Sequence, residues 1–429
     1  MSDLARRRPS GRTGDDSSER TSGTAGDRTS GAASGAASGA ASDRSEDPAS
    51  YRSGDPASYR SGDPVSYRSA DRPSDGASDP VGDRTNYRPY GHVLVRRPRF
   101  SFLLHRRATV VAGVLAVLLA AAFLLSLCVG VRFILPGDVL KVLFGMDDSI
   151  VIETLRLPRA TVGLLVGLAF GIAGALIQTV ARNPLASPDV IGVSHGAAAA
   201  VVCGLVFGFG GPTATPLTAV AGGTIAAFLV YVLAWRKGLN AQRFVLIGVG
   251  ISVALAAVTN LLLTRADITL AQQAKVWMSG SLNGRGWSQG EPLFWVLLAL
   301  TPAIVWAARA ARSAGFDDDT AIALGIRLGR IRLGLVVVGV LLASVATGAA
   351  GPVDFVALVA PQVARRLTRT PQVPLVCSAL LGALIVVLAD IGARMSISDA
   401  ELPVGVLTAA VGGPYLLWML TRSRSGGAS

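Results

Sequence analysis

Residues 155–196 read LRLPRATVGLLVGLAFGIAGALIQTVARNPLASPDVIGVSHG. From residue 160 to 181 the run is almost wholly apolar and has the length of a bilayer crossing, which takes about 20 residues. Arg156 and Arg159 stand at its entrance, and Gln178 sits on its final turns. An Asn183-Pro184-Leu-Ala-x-Pro break follows at once. Proline cannot continue a helix and biases the residue before it toward extended backbone, so this end is an ordered turn. Gly163, Gly167, Gly171 and Gly174 give the span a small-residue face suited to close helix packing. Arginines at one end and an ordered turn at the other fit a transporter segment better than a simple anchor.

Working outward, the same apolar signature recurs. Candidate spans cover residues 109–130, 160–181, 193–209, 216–235, 244–264, 292–309, 333–350, 353–364, 374–390 and 404–420. The third and eighth are short. The sequence therefore predicts an all-α polytopic membrane protein with about ten transmembrane helices over residues 106–424. Residues 1–105 form its N-terminal tail. The tail is rich in Ser, Gly, Asp and Arg, repeats GAAS from Gly31, Gly35 and Gly39, and repeats a DPASYRSG octad from Asp47 and Asp55, varied from Asp63. Such composition buries too little apolar surface to offset its ordering entropy and predicts disorder. No secretory signal peptide is apparent, because the first long apolar run begins only after residue 100.

An even span count places both termini on one side, and the positive-inside rule selects which. With the N-terminus inside, the inner loops collect Arg182, Arg243, Arg309, Arg312, Arg327, Arg330, Arg332, Arg365, Arg366 and Arg369, with Arg236 and Lys237 besides. The outer loops hold fewer basic residues, among them Arg156, Arg159 and Arg394. Both termini are thus expected in the cytoplasm, the arginine pair outside and the Asn183-Pro184 turn inside.

The net charge of +12 is explained the same way, with arginines in the tail and loops, so no nucleic-acid partner is expected. Cys128, Cys203 and Cys377 lie in apolar runs without metal or disulfide spacing, and the three histidines are scattered. No metal or cofactor is expected. None of the three lysines follows a glycine, so the chain has no G-x-x-x-x-G-K-[ST] loop and no ATPase site of its own. No hydrolase or metalloprotease motif occurs, and no enzyme activity is expected. The spans are nearly free of charge, which argues against an ion-coupled carrier, where charges deep in the membrane are kept for function. The inner loop 310–332, ARSAGFDDDTAIALGIRLGRIR, begins acidic and ends basic. Those charges favour a short helix through its dipole, one able to dock a cytoplasmic partner.

Seven blocks then carry a resemblance, in order: LRLPRATVGLLVG, RNPLASPDVIGVSHGA, VLIGVGIS, WMSGSLNGRGW, ALGIRLGRIR, GPVDFVALVAPQVARRLTR and ELPVGVLTAAVGGPYLLWML. From about His105 to Arg422 the chain resembles the FecCD-type permeases of iron-siderophore and cobalamin ABC importers, most of all the ferric-enterobactin branch. Gln362 and Thr368 depart from the His and Gly that many relatives carry. The resemblance implies a second permease subunit, more in keeping with a heterodimer than a homodimer. It also implies two cytoplasmic ABC ATPases and an extracytoplasmic siderophore-binding protein. Arg156, Arg159 and Arg394 match the positions that dock the binding protein, and a guanidinium fork suits that grip on carboxylates. Ala323, Leu324, Gly325, Ile326, Arg327, Leu328, Gly329 and Arg330 match the ATPase-docking segment. Asn183, Pro184, Glu401, Pro403 and Gly405 are expected to make structural turns. The implied cargo is a ferric siderophore. A cobalamin or haem importer of the same family and an ATP-independent secondary carrier are the alternatives.

Overall fold

The computed structural model of the protein describes residues 92–97, 100–130, 132–211, 214–235, 241–316, 318–396 and 401–424. The repetitive part of the tail lies outside them, as do Arg236 and Lys237. Two strands come first, β1 (His92–Arg97) and β2 (Phe100–His105), paired antiparallel with His92 opposite His105. Both strands fall within residues 1–105, the stretch expected as the tail. HVLVRR and FSFLLH have the apolar content of strands, unlike the Ser/Gly-rich repeats before them.

Helices make up the rest: α1 (Arg106–Cys128), α2 (Pro136–Leu143), a π-helical turn Val151–Arg156, α3 (Leu157–Ala181), α4 (Val193–Val206), α5 (Ala214–Ala234) and α6 (Ala241–Arg265). They continue with α7 (Ile268–Met278), α8 (Trp287–Ala314), α9 (Asp318–Ala323), α10 (Leu328–Ala350), α11 (Val356–Thr368), α12 (Leu375–Met395) and α13 (Val404–Arg424). Each of the ten expected spans coincides with one of these helices. Seven, namely α1, α3, α5, α6, α8, α10 and α12, are long and apolar enough to cross a membrane among the described residues. The expected spans at 193–209 and 353–364 are instead short helices of 14 and 13 residues. At 1.5 Å per residue each reaches only about 20 Å, against about 30 Å of hydrocarbon.

Helix α3 is the axis of the bundle. Of its most apolar stretch 78% is buried, against 17% for α6 and 11% for α8. It packs on α12, α10, α11 and α8. The glycine face makes this possible. A Cβ on Gly171 would fall on the Ser378 carbonyl, and one on Gly382 would fall on the Gly167 carbonyl, so α3 and α12 touch backbone to backbone. A Cβ on Gly174 would fall on the Ala357 carbonyl and drive α11 away. Near one end of the bundle, Gly405 at the start of α13 donates its N–H to the Gly280 carbonyl at 3.0 Å, and Ser281 donates to Ala350 at 2.9 Å. The turn after α7, the end of α10 and the start of α13 are thereby tied together.

Candidate functional site

The two ends of α3 carry different chemistry. Its 25 residues separate them by about 37 Å.

At the first end, four elements converge on two arginines. Arg159, in the first turn of α3, donates from Nε and Nη2 to Asp390 Oδ1 of α12 at 3.0 and 2.9 Å. Its Nη1 donates to Glu401 Oε2 at 2.8 Å. Arg394, one turn beyond Asp390, approaches Asp390 Oδ2 at 2.7 Å. That contact is an ion pair without hydrogen-bond alignment, since Asp390 Oδ2 has no hydrogen-bond partner. Arg394 also donates from Nη1 to the Ser126 and Val129 carbonyls at 3.1 and 3.0 Å, and from Nη2 to Ser126 Oγ at 2.5 Å. The Asp390 side chain is 2% exposed, whereas that of Glu401 is 39% exposed. Two guanidiniums and two carboxylates thus balance in charge, and their hydrogen bonds satisfy groups that burial would otherwise penalise.

Arg156 is separate from this network. Its Nη1 donates to the Leu127 and Cys128 carbonyls at 2.7 and 2.8 Å, and its Nη2 to the Arg132 carbonyl at 2.6 Å. The Leu127 and Cys128 carbonyls lie at the end of α1, where the last turn of a helix has no intrahelical donors left and a cation is favoured; that of Arg132 lies in the loop beyond. Gly130 leaves room for the guanidinium, because a Cβ there would meet Arg156 Nη2 at 2.6 Å.

The sequence reading treats Arg156, Arg159 and Arg394 as contacts for an outside protein. The structure does bring them to one end of the bundle. It also buries Arg156 and Arg159, leaves the Arg394 side chain 8% exposed, and gives every one of them partners within the chain. Asp390, Glu401 and Ser126 are the members of this cluster that the sequence did not disclose.

At the other end, Arg182 closes α3 in a left-handed conformation (φ 48°) and donates to the Phe316 carbonyl just beyond α8. Asn183 makes the expected turn: its Oδ1 accepts the Leu185 N–H at 2.9 Å. Pro184 presents its carbonyl to Gln362 Nε2 at 2.9 Å, and the same Nε2 donates to Gln178 Oε1 at 2.7 Å. Gln178 in turn donates to the Leu358 carbonyl at 3.1 Å, and Arg365 donates to Gln362 Oε1 at 2.9 Å. An amide chain therefore joins α3, α11 and the Asn-Pro turn.

The expected docking segment lies at this same end, in a different form from the single helix anticipated. Ala323 ends α9, Gly325 turns with φ 70°, Ile326 donates to the Ala321 carbonyl at 2.8 Å, and Leu328 opens α10. Leu324 is 61% exposed, and Arg327, Gly329 and Arg330 are exposed with it, while Leu328 is buried. The glycine lets two helices meet at a protruding apolar corner. Pro403 and Gly405 lie at the entry to α13, with Val406 N–H on the Pro403 carbonyl at 3.1 Å. Glu401 belongs instead to the arginine cluster.

A third polar centre lies where the α3–α4 connection meets the segment before α11. Ser194 donates to Asp189 Oδ1, and Asp354 lies within electrostatic reach of both Asp189 and His195. Among the described residues no group of His, Cys, Asp or Glu is arranged to hold a metal ion.

Residues 118–422 match the FecCD transport family. The chain belongs to that family. It is the permease subunit of an ABC importer of that family and a multi-pass inner-membrane protein, a transport component rather than an enzyme. It is 40% identical over 272 residues to the ferric enterobactin transport system permease protein of Escherichia coli, covering 63% of this chain and 82% of that one. It is 36% identical over 340 residues to the achromobactin transport system permease protein of Dickeya dadantii, covering 78% and 97%. A vitamin B12 import system permease protein of Escherichia coli is 35% identical over 316 residues, covering 72% and 94%. In three dimensions the chain is similar to a metal-chelate type ABC transporter in an inward-facing conformation. The TM-score is 0.64 at 25% identity, over 73% of this chain and 99% of that one.

Proposed function

We propose that this FecCD-family permease moves a ferric siderophore inward across the cytoplasmic membrane. The observation that carries this reading is the 40% identity to a ferric enterobactin permease, followed by an achromobactin permease at 36%. The end of α3 bearing Arg156 and Arg159 faces outward and receives a siderophore-binding protein there. The end bearing the α9–α10 corner faces the cytoplasm with both chain termini. Two ABC ATPases seat that corner in a cleft, and ATP binding and hydrolysis move it.

The movement has a physical route into the permease. The α9–α10 corner is continuous with α10, which packs along α3, and the Arg182–Phe316 bond ties the end of α3 to the chain leading into α9. The amide chain of Gln178 and Gln362 extends this coupling to α11. Transport then follows from changes in helix packing, with no chemistry in this subunit. The thinly buried flanks of α6 and α8 leave apolar surface for lipid and for a second permease subunit, which we take to be a different chain. Vitamin B12 is the second reading, favoured by the 35% identity to a vitamin B12 permease.

Proteoliposomes containing the complete transporter and its cognate binding protein discriminate the two. Labelled ferric enterobactin or another ferric siderophore accumulates inside, and cyanocobalamin in excess does not compete. Accumulation of cyanocobalamin and of no ferric siderophore would transfer the assignment to the second reading.

A further inference from the structure

Arg159 is held by two carboxylates in unequal positions. Asp390 is rooted in the middle of the cluster, occupies two of the three donors that Arg159 directs at carboxylates, and at the same time neutralises Arg394. Its side chain is 2% exposed, so nothing arriving from outside can reach it without dismantling the α3–α12 contact. Glu401 is different. It precedes the turn into α13, its side chain is 39% exposed, and a single bond of 2.8 Å ties it to Arg159 Nη1. Among the described groups that engage Arg159, Glu401 alone stands at the solvent boundary.

We propose that Glu401 is an intramolecular stand-in for a carboxylate of the binding protein. On docking, Glu401 leaves Arg159 Nη1 and an Asp or Glu side chain of the incoming protein takes its place, while Asp390 keeps Nε and Nη2. This rests on the reading above that the arginine end receives the binding protein. It also resolves, for Arg159, the difficulty that reading meets in the structure, namely that this arginine already has partners.

The exchange is physically economical. Arg159 is never left unpaired in a poorly solvated site, which is the costly state for a buried ion. One charge-assisted bond replaces another of the same kind, and the displaced Glu401 is received by water. A single bond to a carboxylate at the solvent boundary is weakly held, so an incoming carboxylate held in place by a whole interface can displace it. When the binding protein leaves, Glu401 closes on Arg159 again and caps the site. The resting contact therefore lowers the affinity of docking and assists release.

The test measures binding of the cognate binding protein to the complete transporter in lipid nanodiscs. Glu401→Gln removes the competing charge and should tighten the dissociation constant by about three- to fivefold, the range a weak ion pair can supply. Glu401→Asp, one methylene shorter, keeps the charge and should tighten it by less. The combined Arg156→Glu and Arg159→Glu variant should abolish docking while the ATPases still assemble. If both Glu401 variants leave affinity unchanged or weaken it while the arginine variant loses docking, the stand-in is overturned and the docking reading survives. If the arginine variant binds as the parent does, the docking reading itself falls.

Discussion

Asp390→Asn separates a buried ion cluster from a decorative one. The substitution preserves shape and removes one negative charge that is 2% exposed and contacts three guanidinium nitrogens at 2.7–3.0 Å. Arg159 and Arg394 then lie close together with the half-exposed Glu401 as their counter-charge among the described residues. Breaking a buried pair by removing one partner costs about 3–5 kcal/mol. Here the lower end applies, because Arg394 keeps the Ser126 and Val129 carbonyls and Arg159 keeps Glu401. With about 2–4 °C lost per kcal/mol in domains of moderate size, the apparent melting temperature should fall by roughly 6–12 °C. Unfolding in detergent is irreversible, so parent and variant are compared at one scan rate. The companion triple variant Arg159→Met, Asp390→Leu, Arg394→Met replaces the whole buried cluster with apolar groups and should recover most of the loss. A melting temperature for Asp390→Asn within about 2 °C of the parent would refute the reasoning.

Other outcomes follow from the packing and the exposed corner. Gly174→Val should abolish assembly or lower the melting temperature by an amount matching a core overpacking cost of about 1–3 kcal/mol, because its side chain lands on the Ala357 carbonyl. Differential scanning fluorimetry reads it, and a parent-like transition would contradict the α3–α11 contact. Leu324→Asp, at the 61% exposed tip of the α9–α10 corner, should weaken ATPase association at least tenfold without changing permease stability, as co-purification shows. Unchanged co-purification would remove this corner from the interface. Deleting residues 1–89 should leave uptake rates within about twofold, since that composition builds no packed core; loss of uptake in a stably inserted variant would give the tail a transport role.

Much of the architecture is legible in the chain because membrane spans announce themselves through length. The run from residue 160 to 181 is α3 to within a few residues, and Gly167, Gly171 and Gly174 sit against neighbouring backbones while Gly163 faces the Leu282 side chain. At the short α4 and α11 the same signal misplaces the helix ends. Apolar residues continue past the end of α4 through Phe207 and Phe209, and the expected eighth span began before Phe355, whose left-handed φ of 66° starts α11 only at Val356. Helices α2 and α7 are short and mixed in polarity, so apolar length cannot find them. The arginine cluster was half legible. Arg159 and Arg394 are conspicuous in nearly charge-free surroundings, and Asp390 and Arg394 carry the i,i+4 spacing of a helical ion pair. The pairing of Arg159 with Asp390 and Glu401 spans 231 and 242 residues, and no local pattern reports a contact of that range.

The central claim is that this permease is driven by separate ATPase subunits. Uptake of ferric siderophore into proteoliposomes tests it most directly, comparing the complete transporter with ATP, the complete transporter without ATP, and the permease subunits alone. If separate ATPases power the cycle, siderophore accumulates only in the first. Accumulation that persists without ATP or without the ATPase subunits would contradict it and mark the protein as a secondary carrier.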